Sequence, residues 1–261
     1  MAGQAALVTG GALRLGRAMV LKLASRGCDI ALHYANSAQA AEQTASEVRT
    51  FGVNAVTLQA DLLVEAEVAG LISRATSALG KPLTILVNNA SIFEYDTLET
   101  ASRKSWDRHM ESNLRAPFVL IQEFARQVPA PLPDARNEPL AQGVVVNMID
   151  QRVLKPTPEF MTYTLAKMGL WALTRTAAQA LAPEVRVNAI GPGPTMQGIR
   201  QSAEHFDRQR RATILERGAD PDDITAALAF ILDAKALTGQ ILCIDGGQHL
   251  GWKTPDVLGV E

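Results

Sequence analysis

Tyr163 and Lys167 stand four residues apart in a stretch of helical periodicity, so a helix over residues 162–181 puts both side chains on one face. A phenol has a reference pKa of about 10 and is a poor acid–base group at neutrality. Lowering it by about three units takes roughly 4 kcal/mol. One ammonium at about 4 Å supplies that order of energy at an effective dielectric of about 20. The pair therefore reads as a proton-handling device in which Lys167, helped by the positive ring of an oxidised cofactor, makes the Tyr163 phenol acidic. A Tyr-x-x-x-Lys pair is also common on plain helix surfaces, so its meaning rests on its surroundings.

The second chemical feature is the run Thr9, Gly10, Gly11, Ala12, Leu13, Arg14, Leu15, Gly16, set between a predicted strand, Ala5–Val8, and a predicted helix over residues 17–25. Glycines let a backbone approach a pyrophosphate, and a helix N-terminus presents unpaired N–H groups to it. The run reads as the phosphate loop of a dinucleotide site, with Gly10, Arg14 and Leu15 bordering the cofactor. Arg14 occupies a position where the common pattern has another glycine. It either faces the cofactor phosphates, or meets an anionic or polar ring of the substrate, or is solvated. The second predicted strand ends in Leu32, His33, Tyr34, Ala35, Asn36, Ser37. Sites for NAD usually place an acid here to hold the ribose 2′-hydroxyl, and that acid repels a 2′-phosphate. This segment has no acid, and His33, Asn36 and Ser37 can donate hydrogen bonds, which favours NADP(H) over NAD(H).

The elements that must position these residues alternate. Predicted strands at 29–34, 53–59, 83–87, 143–148, 185–190 and 240–244 are separated by predicted helices at 38–50, 64–79, 102–128, 162–181 and 222–232. Such alternation implies parallel pairing with helices on both faces. The continuous apolar run Val144, Val145, Val146 fits a sheet buried on both sides. The reading is an α/β domain of the Rossmann type, a doubly wound parallel sheet forming one unit over residues 1–261. The proline-rich stretch 129–139 is taken as a surface loop. A net charge of −2, with 47% hydrophobic and 20% charged residues, gives no bulk field for nucleic acid or an acidic membrane. Arg208, Arg210 and Arg211 are read as a solvated helix face. Two cysteines, Cys28 and Cys243, predict no disulfide framework and fit a reducing cytoplasmic setting. The first residues show no basic segment leading an apolar run, and no apolar stretch is long enough to span a bilayer. No metal is expected.

With these motifs in order the chain resembles the short-chain dehydrogenase/reductase family over nearly its whole length. The resemblance rests on the glycine loop, Asp61 and Leu62, Asn88, Asn89 and Ala90, Asn113, Tyr163 with Lys167, Val187 and Asn188, and Gly191, Pro192 and Gly193. It implies that Asn89 and Ala90 line the adenosine side and that Asp61 and Leu62 sit near the adenine. It also implies that Asn113 shapes a helix and holds a water of the proton relay, that Lys167 binds the nicotinamide ribose, and that Pro192 and Gly193 border the nicotinamide. A homotetramer is implied as well.

One departure is chemical. The family usually places a serine about a dozen residues before its tyrosine, to hold the substrate carbonyl; here Asp150 stands there. An ionised carboxylate accepts hydrogen bonds and cannot donate one to a carbonyl. It suits a substrate presenting N–H or NH₂ groups, or it works with Tyr163 as a coupled proton donor. Arg14, Ser91, Phe93 and Asp150 together resemble the pteridine reductase branch, which implies a small-molecule pterin substrate stacked between Phe93 and the nicotinamide. Asn36 departs from that branch, which often has an arginine there. Residues 194–212 read as a substrate lid with Gly198 as a hinge, and residues 251–261 either lack order or close a neighbour's site. The other readings are a carbonyl, alcohol or 3-oxoacyl reductase, and a non-catalytic dinucleotide sensor.

Overall fold

A computed structural model describes residues 3–198 and 201–254. Its elements, in chain order, are β1 Ala5–Val8, α1 Arg14–Ser25, β2 Asp29–Tyr34, α2 Ala38–Arg49, β3 Ala55–Gln59, α3 Glu65–Ala69, α4 Leu71–Leu79 and β4 Ile85–Asn88. Next come α5 Arg103–Met110, a π-helical turn Glu111–Arg115, α6 Ala116–Gln127, the short strands β5 Leu132–Pro133 and β6 Pro139–Leu140, and β7 Gly143–Met148. The chain continues through a 3-10 turn Gln151–Val153, α7 Met161–Ala180, β8 Val185–Pro192, α8 Ala203–Arg211, α9 Pro221–Asp233, β9 Ile241–Ile244 and a 3-10 turn Gln248–Leu250.

Seven strands pair in parallel in the order β3-β2-β1-β4-β7-β8-β9. The apolar strands bury both faces, and the alternation of side chains sorts them into two cores. Ala6, Val8, Ile30, Leu32, Val87, Val144, Val146 and Ile190 face one layer with Met19, Val48 and Leu228. Ala5, Leu7, Ala31, Leu86, Val145 and Val187 face the other with Leu71, Leu120, Phe124 and Ala177. The strand order reverses between β1 and β4, which opens a crevice at their carboxyl ends, where a doubly wound sheet takes its ligand.

The departures from the sequence reading are local. The helix expected over 64–79 divides at Gly70 into α3 and α4. The helix expected over 102–128 is interrupted by the π turn, directly before Pro117. Proline has no N–H to give to the carbonyl four residues back, here that of Asn113. Helix α1 begins at Arg14, three residues earlier than expected. The loop expected over 129–139 carries the β5/β6 hairpin, whose turn is held by Asp134 Oδ1 accepting from the Arg136 and Glu138 amides at 2.7 and 2.9 Å. Among the described residues no helix is long and apolar enough to cross a membrane.

One charged side chain is part of the scaffold. Arg186, 8% exposed in β8, donates to the carbonyls of Ile231, Leu232 and Leu237 at 2.9 to 3.1 Å, where α9 ends. It satisfies carbonyls that a helix C-terminus leaves unpaired. Replacement by methionine keeps the bulk and strands those carbonyls. Arg186→Met is expected to cost about 3 kcal/mol of unfolding free energy in a denaturant titration.

Candidate active site

The glycine loop joins β1 to α1 in a form that needs its glycines. Gly10 has φ +61°, and a Cβ there would lie 3.1 Å from the Ala90 Cα. At Gly16 a Cβ would lie 2.0 Å from the Gly10 carbonyl oxygen, which excludes any side chain. The loop is clasped from β4: Asn89 Nδ2 donates to the Thr9 and Gly10 carbonyls at 2.9 and 3.2 Å, and the Asn89 and Ala90 amides donate to Thr9 Oγ1. Helix α1 has no side-chain cap at Leu13, so the amides of its first turn keep their donors for an anion. Arg14 sits at φ +53°, the left-handed region where glycine is favoured. Its guanidinium donates to the Met196 carbonyl at 3.1 Å, bridging the glycine loop to the segment after β8.

Around the adenosine end the residues divide. Asn36 is exposed, Ser37 makes no capping bond at the start of α2, and the first turn of α2 holds no acid. Asp61 is exposed and its Oδ1 accepts from the Leu63 amide at 2.9 Å, while the Leu62 side chain is buried in the core, leaving its main chain to face a ligand. His33 corrects the expectation. It is 1% exposed, its Nδ1 accepts from the Gly10 amide at 3.1 Å, and its Nε2 contacts the Ala60 carbonyl at 3.0 Å. An amide only donates, so the ring proton is on Nε2, and burial keeps the imidazole below its ordinary pKa. His33 has no donor left for a phosphate and instead fixes the glycine loop to the β2–β3 edge.

At the other end of the crevice β7 delivers Asp150 and α7 delivers Tyr163 and Lys167. The Tyr163 hydroxyl donates to Asp150 Oδ2 at 2.9 Å, and the Arg152 amide donates to Asp150 Oδ1 at 2.8 Å. Lys167 Nζ donates to the Met148 carbonyl at 2.7 Å and lies 5.7 Å over the Tyr163 ring. Burial and the facing Asp150 carboxylate hold the Tyr163 phenol above its ordinary range, so it is a proton donor in this state rather than an acidified phenol. Burial raises Asp150, against the opposing pull of the Arg152 amide and guanidinium. Burial lowers Lys167 to about 8. The Lys167 ammonium is bonded to the Met148 carbonyl and lies over the ring rather than at the hydroxyl, so burial and the Asp150 carboxylate outweigh it in this state.

Phe93, expected as a stacking platform, lies 4.7 Å centroid to centroid from Tyr163 and stacks on Phe160 at 4.3 Å with 9° between planes. The Arg152 guanidinium covers Phe160 at 5.2 Å, and Tyr95 meets it edge-on at 5.1 Å. Phe160 and Arg152 were not legible as site residues, because they lie in an irregular segment with no period to read. Ser91 is exposed beside this group. The Asn113 side chain is fully buried, with Oδ1 accepting from the Ile92 amide and Nδ2 donating to the Ile92 carbonyl, both at 2.8 Å. Its main-chain carbonyl is the one that Pro117 deprives of an α-helical donor.

Pro192 ends β8, and the Gly193 amide donates to the Ile244 carbonyl at 3.0 Å, with Asp245 packed so closely that a Cβ at Gly193 would lie 2.6 Å from it. Arg210 is not a solvated residue: it donates to the Pro194, Gly218 and Ala219 carbonyls and pairs with Asp220 at 3.0 Å, tying α8 to its base. Residues 199, 200 and 255–261 of the expected lid and tail lie outside the described residues.

A Gly16→Ala variant is expected to weaken dinucleotide binding by at least tenfold in a fluorescence titration, since the loop cannot take a Cβ in place. Tyr163→Phe is expected to leave that affinity within about twofold and to lower kcat by roughly 10²–10⁴.

The model of the family described as enoyl-(acyl carrier protein) reductase matches residues 11–249. A 3-oxoacyl-[acyl-carrier-protein] reductase of Staphylococcus epidermidis is 30% identical over 95% of this chain and 99% of its own. A short-chain dehydrogenase/reductase of Hericium erinaceus is 31% identical over 93% of this chain and 96% of its own. Among solved structures, alternative dihydrofolate reductase 1 (FolM) of Brucella suis in complex with NADP is 41% identical, with a TM-score of 0.90 over 97% of this chain and 98% of that one. With its crevice, its glycine loop and its Tyr163–Lys167 helix, the chain belongs to the short-chain dehydrogenase/reductase family of oxidoreductases.

Proposed function

We propose that this enzyme is an NADPH-dependent reductase of a pterin C=N bond. The observation that carries the reading is the Tyr163–Asp150 hydrogen bond of 2.9 Å, set beside the stacked rings of Phe93 and Phe160. The family's usual serine holds a carbonyl; a carboxyl in that place pairs with the N–H and NH₂ groups of a pterin edge and doubles as a proton reserve. The Brucella relatives, 41% and 40% identical and described as alternative dihydrofolate reductases with NADP, support the same reading.

The dinucleotide fits the residues present. The glycine loop and the uncapped start of α1 would accept the pyrophosphate, Asn89, Ala90, Asp61 and the Leu62 backbone would border the adenosine, and Asn36 and Ser37 would meet the 2′-phosphate with no acid in the first turn of α2. Lys167 holds the ribose of the nicotinamide, and Pro192 and Gly193 flank its ring. NADPH, when bound, supplies the hydride. Phe93 stacks the substrate, with Arg14 and Ser91 at its polar edge. Tyr163 hands its proton to the ring nitrogen and is reprotonated by Asp150, so each turnover takes up one proton. Lys167, at 5.7 Å from the ring, steadies the transient phenolate.

A 3-oxoacyl reductase is the second reading, favoured by the 30% identical Staphylococcus enzymes. It asks an ionisable Asp150 to donate to a carbonyl, which only its protonated form can do. As a cytosolic enzyme of this family the protein is further proposed to be a homotetramer. Apolar surface supports self-association: Leu215 and Phe230 are 68% and 55% exposed beside a cavity of about 850 Å³ between α9 and β9, away from Tyr163.

The decisive assay follows NADPH oxidation with dihydrobiopterin, dihydromonapterin and dihydrofolate against acetoacetyl-coenzyme A. Turnover of a pterin is expected, and inertness toward all three at saturating NADPH refutes the reading. Because burial raises Asp150, its proton persists above the usual carboxylate range and is lost as pH rises through the shifted value. Pterin reduction is expected to fall along that limb, and Asp150→Asn, at its lower residual rate, is expected to lose the limb from the pH–kcat profile.

A further inference from the structure

Three side chains with hydrogen-bonding chemistry lie buried beside Tyr163 and take no part in the scheme above. Asp96 is 2% exposed, His109 is 0% and Thr162 is 1%. They come from the segment after β4, from α5 and from the first turn of α7, and they form one chain of hydrogen bonds whose direction can be worked out.

The Glu94 amide donates to His109 Nε2 at 3.2 Å, so that nitrogen carries the lone pair. Burial holds His109 below its ordinary range, so the ring is neutral and its single proton is on Nδ1. Nδ1–H then donates to Thr162 Oγ1 at 2.7 Å. The Thr162 hydroxyl donates in turn to Asp96 Oδ2 at 2.5 Å. Burial by itself raises the Asp96 carboxyl, but the hydroxyl and amide of Thr162 hold it below the usual range as an ionised acceptor.

The chain closes a gap at the start of α7. Its N-cap position is Phe160, at φ 55°, whose side chain has no acceptor to offer. Asp96 takes that task from another segment, its carbonyl accepting from the Met161 amide at 3.3 Å and its Oδ1 from the Thr162 amide at 3.1 Å. The same carboxylate thus pins the turn that carries Phe160 and Tyr163 to the segment that carries Phe93. The His109 ring also packs edge-on to Tyr163 at 6.0 Å.

We propose that Thr162 is a positioning residue: through Asp96 and His109 its hydroxyl locks the Tyr163 phenol and the Phe93 ring into the relative placement that turnover needs. The proposal rests on Tyr163 as the family's proton donor and holds for a pterin or a carbonyl acceptor.

The test is Thr162→Val, which keeps the shape and the amide and removes the hydroxyl. With dihydrobiopterin, or with acetoacetyl-coenzyme A where the wild type reduces only that, kcat is expected to fall at least tenfold while NADPH affinity stays within twofold. Thr162→Ser is expected to restore most of the loss. Unchanged kcat in the valine variant, or a serine variant no better than it, overturns the proposal. Asp96→Asn, which keeps the size and one acceptor, replaces the valine variant should that one not fold, with the same criteria. Independently of activity, nitrogen NMR of the wild type is expected to show His109 protonated at Nδ1; a proton at Nε2 overturns the chain. Inertness of the wild type toward pterins with turnover of the thioester defeats the proposed substrate and leaves this inference standing.

Discussion

The proton on Tyr163 is shared with a carboxyl group rather than released toward a cation, and the chemistry of the site follows from that hydrogen bond. A buried phenol beside a carboxylate resists ionisation twice over, by loss of solvation and by like charge. The same burial makes Asp150 reluctant to stay charged. The two groups titrate as a pair, so the proton that leaves Tyr163 in a turnover has a neighbour ready to replace it. A carboxyl in this place sets the site apart from one built around a serine, whose hydroxyl donates where an ionised carboxylate only accepts.

Holding that pair in place is the work of strand and helix ends. Asp150 follows β7, whose Asn147 is tied to Asn88 of β4 at 2.8 Å and to Thr174 of α7 at 2.9 Å. Lys167 returns to the Met148 carbonyl at the end of the same strand. The central strands and α7 are thereby joined by buried polar contacts, which are directional where apolar packing is not. A shift of α7 along its axis would break several of these bonds at once, so the 2.9 Å separation of hydroxyl and carboxyl is set by the scaffold and not by the loop alone.

The sheet was legible from the sequence because its strands are fully buried and its glycine loop sits at the first strand–helix junction. Strands 5–8, 29–34 and 143–148 fall where the apolar runs place them. The helix break before Pro117 was not read, since periodicity carries through it while the hydrogen-bond ladder does not. In the site, Tyr163 and Asp150 come together as their types and order imply. His33 did not behave as a surface donor, because its neighbours in space, Gly10 and Ala60, are remote in sequence. Phe160, Arg152 and the Asp96–Thr162–His109 chain were invisible for the same reason: their partners are chosen by the packing of three segments, and no spacing in one segment encodes them.

Arg14 ties the glycine loop to the segment after β8. A left-handed backbone at a long side chain is unfavourable, and glycine in that position would remove the penalty. What the arginine adds is reach: its guanidinium spans from the glycine loop to the Met196 carbonyl at 3.1 Å. A residue costly to the folded loop is thereby accompanied by a contact between two segments remote in sequence.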